Sequence, residues 1–182
     1  MILFINACVR KYSRTKCLAD VLLQKLGDDV KEIKLSEIDF PNVDEKFLQT
    51  RDSLIAEKQF DNPMFEQARL FASADKIVIA APYWDLSFPA VLKQYIEQIN
   101  VLGITFVYTP EGVPKGLCKG SELYYITTAG GDYMPEGYGF GYVKALAENF
   151  YGINDVKIIK ATGLDIYGAN IEKIISDTID KI

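Results

Sequence analysis

The sequence has no histidine among its 182 residues. Histidine is the usual base of Ser-His-Asp and Cys-His catalysis, so its absence excludes enzymes of both types. It also removes the commonest transition-metal ligand, and we expect no metal site. Any chemistry must therefore come from carboxylates, hydroxyls, backbone groups or a bound cofactor.

Cysteine is scarce as well. Cys8, Cys17 and Cys118 are an odd number with no paired spacing, which indicates neither a disulfide framework nor a zinc site. Cys8 lies beside four cations that could lower the pKa of its thiol and make it reactive. A cysteine at the end of a buried strand more often packs, and we favour that interpretation.

Long apolar runs and an excess of positive charge are also missing. No segment approaches the length of a membrane-spanning helix, and the amino terminus lacks the basic leader of a signal peptide. The net charge of −5 argues against a general nucleic-acid binder, which needs clustered lysine and arginine. A length of 182 residues with 49% apolar composition predicts one domain over 1–182. The missing leader and spanning run lead us to expect a cytoplasmic protein, with neither membrane nor nucleic acid as partner.

Apolar segments with strand character alternate with segments that have helical periodicity. The predicted strands cover 1–6, 30–35, 76–81, 122–128 and 156–161. The predicted helices cover 15–26, 45–58, 63–73, 89–100, 145–150 and a last helix capped by Asn170. Residues 36–75 resemble a variable lid or insertion, residues 104–119 have no helix signal, and 137–142 resemble a mobile pocket wall or an ordered surface loop.

This alternation predicts an α/β three-layer sandwich built on a parallel sheet with right-handed crossovers. Five strands favour the flavodoxin-like order 2-1-3-4-5, with the lysine-bearing second strand at an edge. In that order the ligand crevice lies at the switch between the first and third strands.

The loop after the first strand has the composition of a phosphate site. It carries Arg10, Ser13, Arg14 and Thr15 just before a helix, where unpaired backbone N–H groups favour an anion. The alternative is that Ser13 is only a helix cap and the cations are solvated. The loop has no glycine, so it is neither a dinucleotide fingerprint nor a Walker loop.

Two further loops supply aromatic and glycine residues. Tyr83 and Trp84 follow the third strand, where rings either stack on a flat ligand or turn into the core. Gly130 and Gly131 follow the fourth strand, where they either let backbone N–H groups approach a planar ligand or simply form a tight turn. The three loops emerge at one sheet edge, which favours a ligand with one phosphate and a flat heterocycle, such as FMN.

Three segments resemble the NAD(P)H-dependent FMN oxidoreductases, the flavodoxin-like group that includes the NADH:azoreductases and quinone reductases. Residues 81–95 are similar to its Ala-Pro-aromatic segment and the helix that follows. Residues 103–109 resemble its Gly-Val-Thr-Phe-x-Tyr-Thr stretch, and residues 127–131 resemble its Thr-Ser-x-Gly-Gly turn. The resemblance spans most of the chain and is specific chiefly between 76 and 132.

The resemblance implies an FMN site. The implied FMN-binding residues are Arg10, Ser13, Arg14, Thr15, Pro82, Tyr83, Trp84, Asp85, Leu86, Thr128, Ala129, Gly130 and Gly131, with Tyr108 and Tyr133 toward the substrate. The chain departs from the group at Asp85, where many relatives have asparagine; a carboxylate there disfavours an anionic reduced flavin unless it is protonated or turned away. Ala129 replaces a polar or basic residue of some relatives, and an early serine of the phosphate loop is missing at 7–8.

The activity implied by the resemblance is two-electron transfer by a ping-pong mechanism from NADH or NADPH, through FMN, to a quinone, azo or nitro acceptor. The group also implies a homodimer whose second chain helps to close the flavin pocket. An alternative is an FMN-binding electron carrier or flavin sensor that does not turn over pyridine nucleotide. The sequence does not select between NADH and NADPH, nor does it identify the physiological acceptor.

Overall fold

A computed structural model describes all residues, Met1–Ile182. It contains seven strands: β1 (Ile2–Asn6), β2 (Val30–Lys34), β3 (Lys76–Ala80), β4 (Phe106–Tyr108), β5 (Pro114–Gly116), β6 (Glu122–Thr128) and β7 (Asp155–Ala161). Five of them form a parallel sheet in the order β2-β1-β3-β6-β7. This is the predicted order 2-1-3-4-5 of the five main strands, and the flavodoxin-like prediction is confirmed.

Burial explains which strands are central. Every residue of β1 is buried, as expected for a strand covered on both faces. In β2 only Ile33 is buried, while Lys31 and Glu32 are exposed. The predicted edge position of the second strand is therefore confirmed, and its charged side chains discourage further strand pairing.

Six α-helices cover the two faces of the sheet: α1 (Arg14–Leu26), α2 (Glu45–Ala56), α3 (Glu66–Ser73), α4 (Ala90–Ile99), α5 (Phe140–Leu146) and α6 (Ile171–Ile179). Alternate strand residues point to opposite faces, so Leu3 and Ile5 join one core with α3, α4 and α5. Ile2 and Phe4 join a second core with α1 and α6. The chain contains no helix with the length and apolar character needed to cross a membrane.

Two segments contain structure that was not predicted. Residues 104–119 contain the antiparallel hairpin β4–β5, whose three-residue strands are too short to give a clear period-2 pattern. The helix predicted at 145–150 begins earlier, at Phe140, and continues as a π-helical turn over Ala147–Tyr151. The glycines at 137–141 hide that helix start, because glycine is a poor helix former.

Both predicted caps are present. The Ser13 hydroxyl oxygen accepts from the Lys16 N–H at 3.3 Å and begins α1. The Asn170 side chain accepts from the Lys173 N–H at 3.0 Å and begins α6. The helix predicted to begin at residue 89 begins one residue later, and Pro89 immediately precedes α4. At this position no helical hydrogen bond needs the N–H that proline lacks.

Candidate active-site cleft

The loops after β1, β3, β6 and β7 meet at the carboxyl edge of the sheet and enclose a cleft of about 250 Å³. This is the position at which open α/β sheets bind ligands. The cleft is lined by Val9, Arg10, Tyr12, Ser13, Arg14, Thr15, Pro82, Tyr83, Trp84, Thr128, Ala129, Gly130, Leu164 and Asp165.

The amino terminus of α1 forms the electropositive end of the cleft. The backbone N–H groups of Arg14 and Thr15 donate to no acceptor in the chain, and Arg10 and Arg14 both line the cleft. Unpaired N–H groups and the helix dipole both favour an anion here. Ser13 is the helix cap, as one interpretation of the sequence expected.

A hydroxyl pair joins this helix terminus to the sheet. The Thr15 and Thr128 hydroxyl oxygens lie 2.6 Å apart, and Thr15 is buried. Because Thr15 is on α1 and Thr128 ends β6, the pair links the loop after β1 to the glycine turn. A link of this kind is what an oriented ligand needs.

The aromatic loop contains a tight two-residue hairpin. The N–H of Trp84 donates to the carbonyl of Ser87 at 3.2 Å, and the N–H of Ser87 donates to the carbonyl of Trp84 at 2.7 Å. Asp85 and Leu86 between them have φ values of +50° and +65°. Non-glycine residues in the left-handed region are strained, and such strain often occurs where a loop is shaped for binding.

The hairpin presents Trp84 and Tyr83 to the cleft. Trp84 is 39% exposed, so it is not turned into the core. The Tyr83 hydroxyl is buried and has no hydrogen-bond partner in the chain. Burial, followed by the nearby hydroxyls of Tyr133 and Tyr138, raises the pKa of Tyr83, so the side chain is neutral at physiological pH.

The glycine turn offers backbone donors. The N–H groups of Gly130 and Gly131 make no hydrogen bond within the chain. Gly130 lies so close to the loop after β7 that a Cβ on it would come 2.4 Å from Oδ2 of Asp165. These atoms belong to the exposed Asp165 side chain, so a residue larger than glycine at 130 would displace this carboxylate from its place at the cleft.

The loop after β7 is the part of the cleft that the sequence analysis missed. Its backbone is held to the glycine turn by bonds from the N–H of Leu164 to the Ala129 carbonyl at 3.2 Å and from the N–H of Asp165 to the Gly130 carbonyl at 2.9 Å. Asp165 also forms an ion pair with Arg14, with 3.1 Å between Oδ1 and Nη1. The predicted topology could have indicated this loop, because the carboxyl ends of all parallel strands lie at one edge of the sheet.

Most predicted residues from the first, third and fourth loops lie together in this cleft, whereas five others do not line it. Those five are Asp85, Leu86, Gly131, Tyr108 and Tyr133. Asp85 and Leu86 form the exposed hairpin tip, and Gly131 is the outer residue of the glycine turn. Tyr108 ends β4, and Tyr133 is 77% exposed. Val9 and Tyr12 line the cleft without having been predicted.

Cys8 lies next to the cleft without lining it. Its Sγ faces the Ala80 carbonyl oxygen at 3.7 Å. Burial raises the pKa of the Cys8 thiol, so the neighbouring cations do not turn it into a thiolate. Packing rather than reactivity is therefore what the structure supports for Cys8.

Comparisons with known proteins agree with this geometry. The model of a family described by its flavodoxin-like fold matches residues 1–182. An FMN-dependent NADH:quinone oxidoreductase of Clostridium beijerinckii is 36% identical over 97% of this chain and 91% of its own length. One from Clostridium perfringens is 35% identical over 99% of this chain and 94% of its own.

Solved structures point the same way. An azoreductase from Bacillus anthracis superposes with a TM-score of 0.85 at 25% identity, covering 99% of this chain and 95% of its own. An FMN-dependent NADH-azoreductase of the same species, solved in complex with FMN, gives a TM-score of 0.82 at 25% identity, covering 99% and 94%. The chain therefore belongs to the flavodoxin-like family that includes the FMN-dependent NADH:quinone oxidoreductases.

Proposed function

We propose that this protein is an FMN-dependent NAD(P)H oxidoreductase that passes two electrons to a quinone or azo acceptor. The observation that carries the proposal is the cleft itself, where a helix amino terminus, an aromatic loop and a glycine turn meet at one sheet edge. The named activities of the quinone oxidoreductases and azoreductases of the family support the same function.

The residues present fit FMN. Unpaired N–H groups at Arg14 and Thr15, with two arginines beside them, suit a phosphate dianion. The aromatic face of Trp84 and the free N–H of Gly130 suit a flat ring that has hydrogen-bond acceptors along one side. The sequence-predicted residues Arg10, Ser13, Pro82, Tyr83, Thr128 and Ala129 complete the proposed site.

Bound FMN would supply the redox chemistry, by taking a hydride from the nicotinamide and releasing two electrons to the acceptor. The chain's own groups would bind and orient the flavin. The unpaired Gly130 N–H would be available to donate to the ring, whose negative charge increases on reduction. The Tyr83 side chain lines the cleft and is neutral at physiological pH, so it would add no charge beside the ring. No catalytic histidine or thiolate is required.

We also infer a homodimer that uses a ping-pong mechanism. Support for the dimer comes from large apolar side chains that are exposed around the cleft and on the hairpin β4–β5. These are Tyr12, Trp84, Leu86, Tyr108, Val113, Leu117, Tyr133 and Tyr138. Support for the mechanism is the open cleft, which a nicotinamide and an acceptor can occupy in turn. We propose the cytoplasm as its compartment and 1–182 as its single flavodoxin-like, FMN-binding domain.

Anaerobic mixing tests the function. Protein reconstituted with FMN is mixed with NADH or NADPH, and the flavin absorbance near 450 nm is expected to bleach and to return when benzoquinone is added. Parallel lines in double-reciprocal plots would support the ping-pong order. Bound flavin that neither nicotinamide reduces would instead favour the electron carrier or flavin sensor.

A further inference from the structure

Arg14 and Asp165 connect two loops that are far apart in the sequence. Arg14 opens α1 in the phosphate loop, and Asp165 follows β7. The distance of 3.1 Å between Nη1 and Oδ1 makes this a hydrogen-bonded ion pair. Both residues line the cleft, so the pair lies at the end where we place the phosphate.

Asp165 is itself held in place by its backbone. Its N–H donates to the Gly130 carbonyl at 2.9 Å, and the preceding Leu164 N–H donates to the Ala129 carbonyl at 3.2 Å. Its carboxylate lies over the bare Cα of Gly130. The backbone that carries the carboxylate is therefore fixed, and the short aspartate side chain has few rotamers, whereas an arginine side chain at the start of a helix has many.

The pair leaves Arg14 able to bind an anion. Asp165 contacts only Nη1, so the guanidinium keeps donors that this carboxylate does not use. The Arg14 side chain remains 43% exposed and the Asp165 side chain 73% exposed. Water screens the negative charge of such an exposed carboxylate, while the hydrogen bond still restricts where the guanidinium can lie.

We propose that Asp165 is a positioning residue, which acts through Arg14 by holding its guanidinium at the cleft for the phosphate of the flavin. This inference rests on the proposed function, because it concerns the same FMN site. A restrained arginine loses less conformational freedom when the phosphate binds, and the saved entropy appears as affinity. Riboflavin has the same ring without the phosphate, so Asp165 contributes nothing to riboflavin binding through this route.

The test compares the dissociation constants of FMN and riboflavin, measured by quenching of flavin fluorescence. In Asp165→Asn, FMN binding is expected to weaken about threefold to fivefold, the size of an exposed ion pair, with riboflavin binding unchanged. The matched control is Asp177→Asn, which removes an exposed aspartate from an ion pair with Lys173 on α6, away from the cleft. It is expected to leave both constants unchanged.

A double-mutant cycle shows whether the effect passes through Arg14. Arg14→Gln is expected to weaken FMN binding, and adding Asp165→Asn to it is expected to change nothing further. Asp165→Glu keeps a carboxylate at this position, and its FMN affinity is expected to lie between those of Asp165→Asn and the wild type. A loss of FMN and riboflavin affinity in the same proportion would identify a merely structural role and overturn the proposal.

Two other results would also overturn it. If Asp165→Asn tightens FMN binding or leaves it unchanged, the carboxylate repels the phosphate or does not influence it. If the wild-type protein binds FMN no better than riboflavin, the cleft does not recognise a phosphate. Wild-type protein that binds neither flavin would contradict the proposed function itself, whereas an unchanged constant in Asp165→Asn alone contradicts only the role of Asp165.

Discussion

Leu86 shows how a single residue can be shaped by its loop rather than by its own preference. Its φ of +65° places a branched, bulky side chain in the left-handed region, next to Asp85 at +50°. That conformation closes the two-residue hairpin that presents Trp84 to the cleft. The family resemblance implied Asp85 and Leu86 as FMN-binding residues. No local pattern predicted their strained backbone, because Asp-Leu is not a usual pair for such a turn.

Leu86→Gly is expected to raise the free energy of unfolding by about 0.5–1 kcal/mol. Glycine removes a steric cost of about 1–2 kcal/mol in the left-handed region of the folded protein. Part of this gain is lost because glycine also gives the unfolded chain more conformational entropy. Urea denaturation followed by circular dichroism measures the change. The control is Leu117→Gly, an equally exposed leucine without a positive φ, which should lose stability. A loss at Leu86 equal to that at Leu117 would show that the turn is not strained.

A second residue-scale feature is Glu122 at the amino edge of the sheet, opposite the cleft. Its carboxylate binds Lys76 Nζ at 2.7 Å and Lys157 Nζ at 3.3 Å, and it accepts from the Tyr124 hydroxyl. Lys76, then Tyr124 and Lys157, hold the pKa of Glu122 at about 2, against the desolvation that would raise it. This cluster ties β3, β6 and β7 together.

A carboxylate whose pKa is lower in the folded protein than in the unfolded chain stabilises the fold at pH values above its unfolded pKa. This stabilisation is lost as the pH falls through the folded pKa. Glu122→Gln is therefore expected to cost about 1–2 kcal/mol at pH 7, less than the full shift would imply because water screens the partly exposed lysines. The difference from wild type should shrink between about pH 5 and pH 2. Urea titrations over that range measure it, with Glu57→Gln, which has no ion pair, as control. A constant difference at every pH would refute the assignment.

At the scale of elements, long segments were predictable and short ones were not. The strands β1, β3, β6 and β7 are long apolar or β-branched runs, and α1 and α6 carry a serine and an asparagine cap. The hairpin β4–β5 and the start of α5 were missed because three-residue strands and a glycine-rich start give no periodic signal. The loop after β7 was overlooked although the predicted topology already placed it at the cleft.

The hairpin β4–β5 depends on a glycine contact that the sequence alone does not reveal. A Cβ at Gly116 would lie 2.1 Å from the Tyr151 carbonyl carbon and 2.2 Å from the Gly152 nitrogen, both backbone atoms. Gly116→Ala is therefore expected to cost about 3 kcal/mol, because a backbone cannot yield as a side chain can. Gly137→Ala, with open space around it, should stay within about 0.5 kcal/mol. Thermal unfolding compares the two, and equal costs would contradict the contact.

At the scale of the whole molecule, strand order and ligand edge followed from the alternation of elements, because parallel strands allow few connections. The oligomeric state does not follow from any of these rules. We predict from the exposed aromatic side chains around the cleft that sedimentation velocity gives twice the mass of the chain. A single species at the mass of one chain, at micromolar protein concentration, would contradict the homodimer and leave the cleft to be completed by one chain alone.

The most direct test of the central claim is a crystal structure of the protein grown with FMN. The account predicts the phosphate within hydrogen-bonding distance of the Arg14 and Thr15 backbone N–H groups, and the ring between the Pro82–Trp84 loop and the Gly130 turn. A phosphate bound away from the amino terminus of α1, or a ring outside the cleft of about 250 Å³, would contradict it.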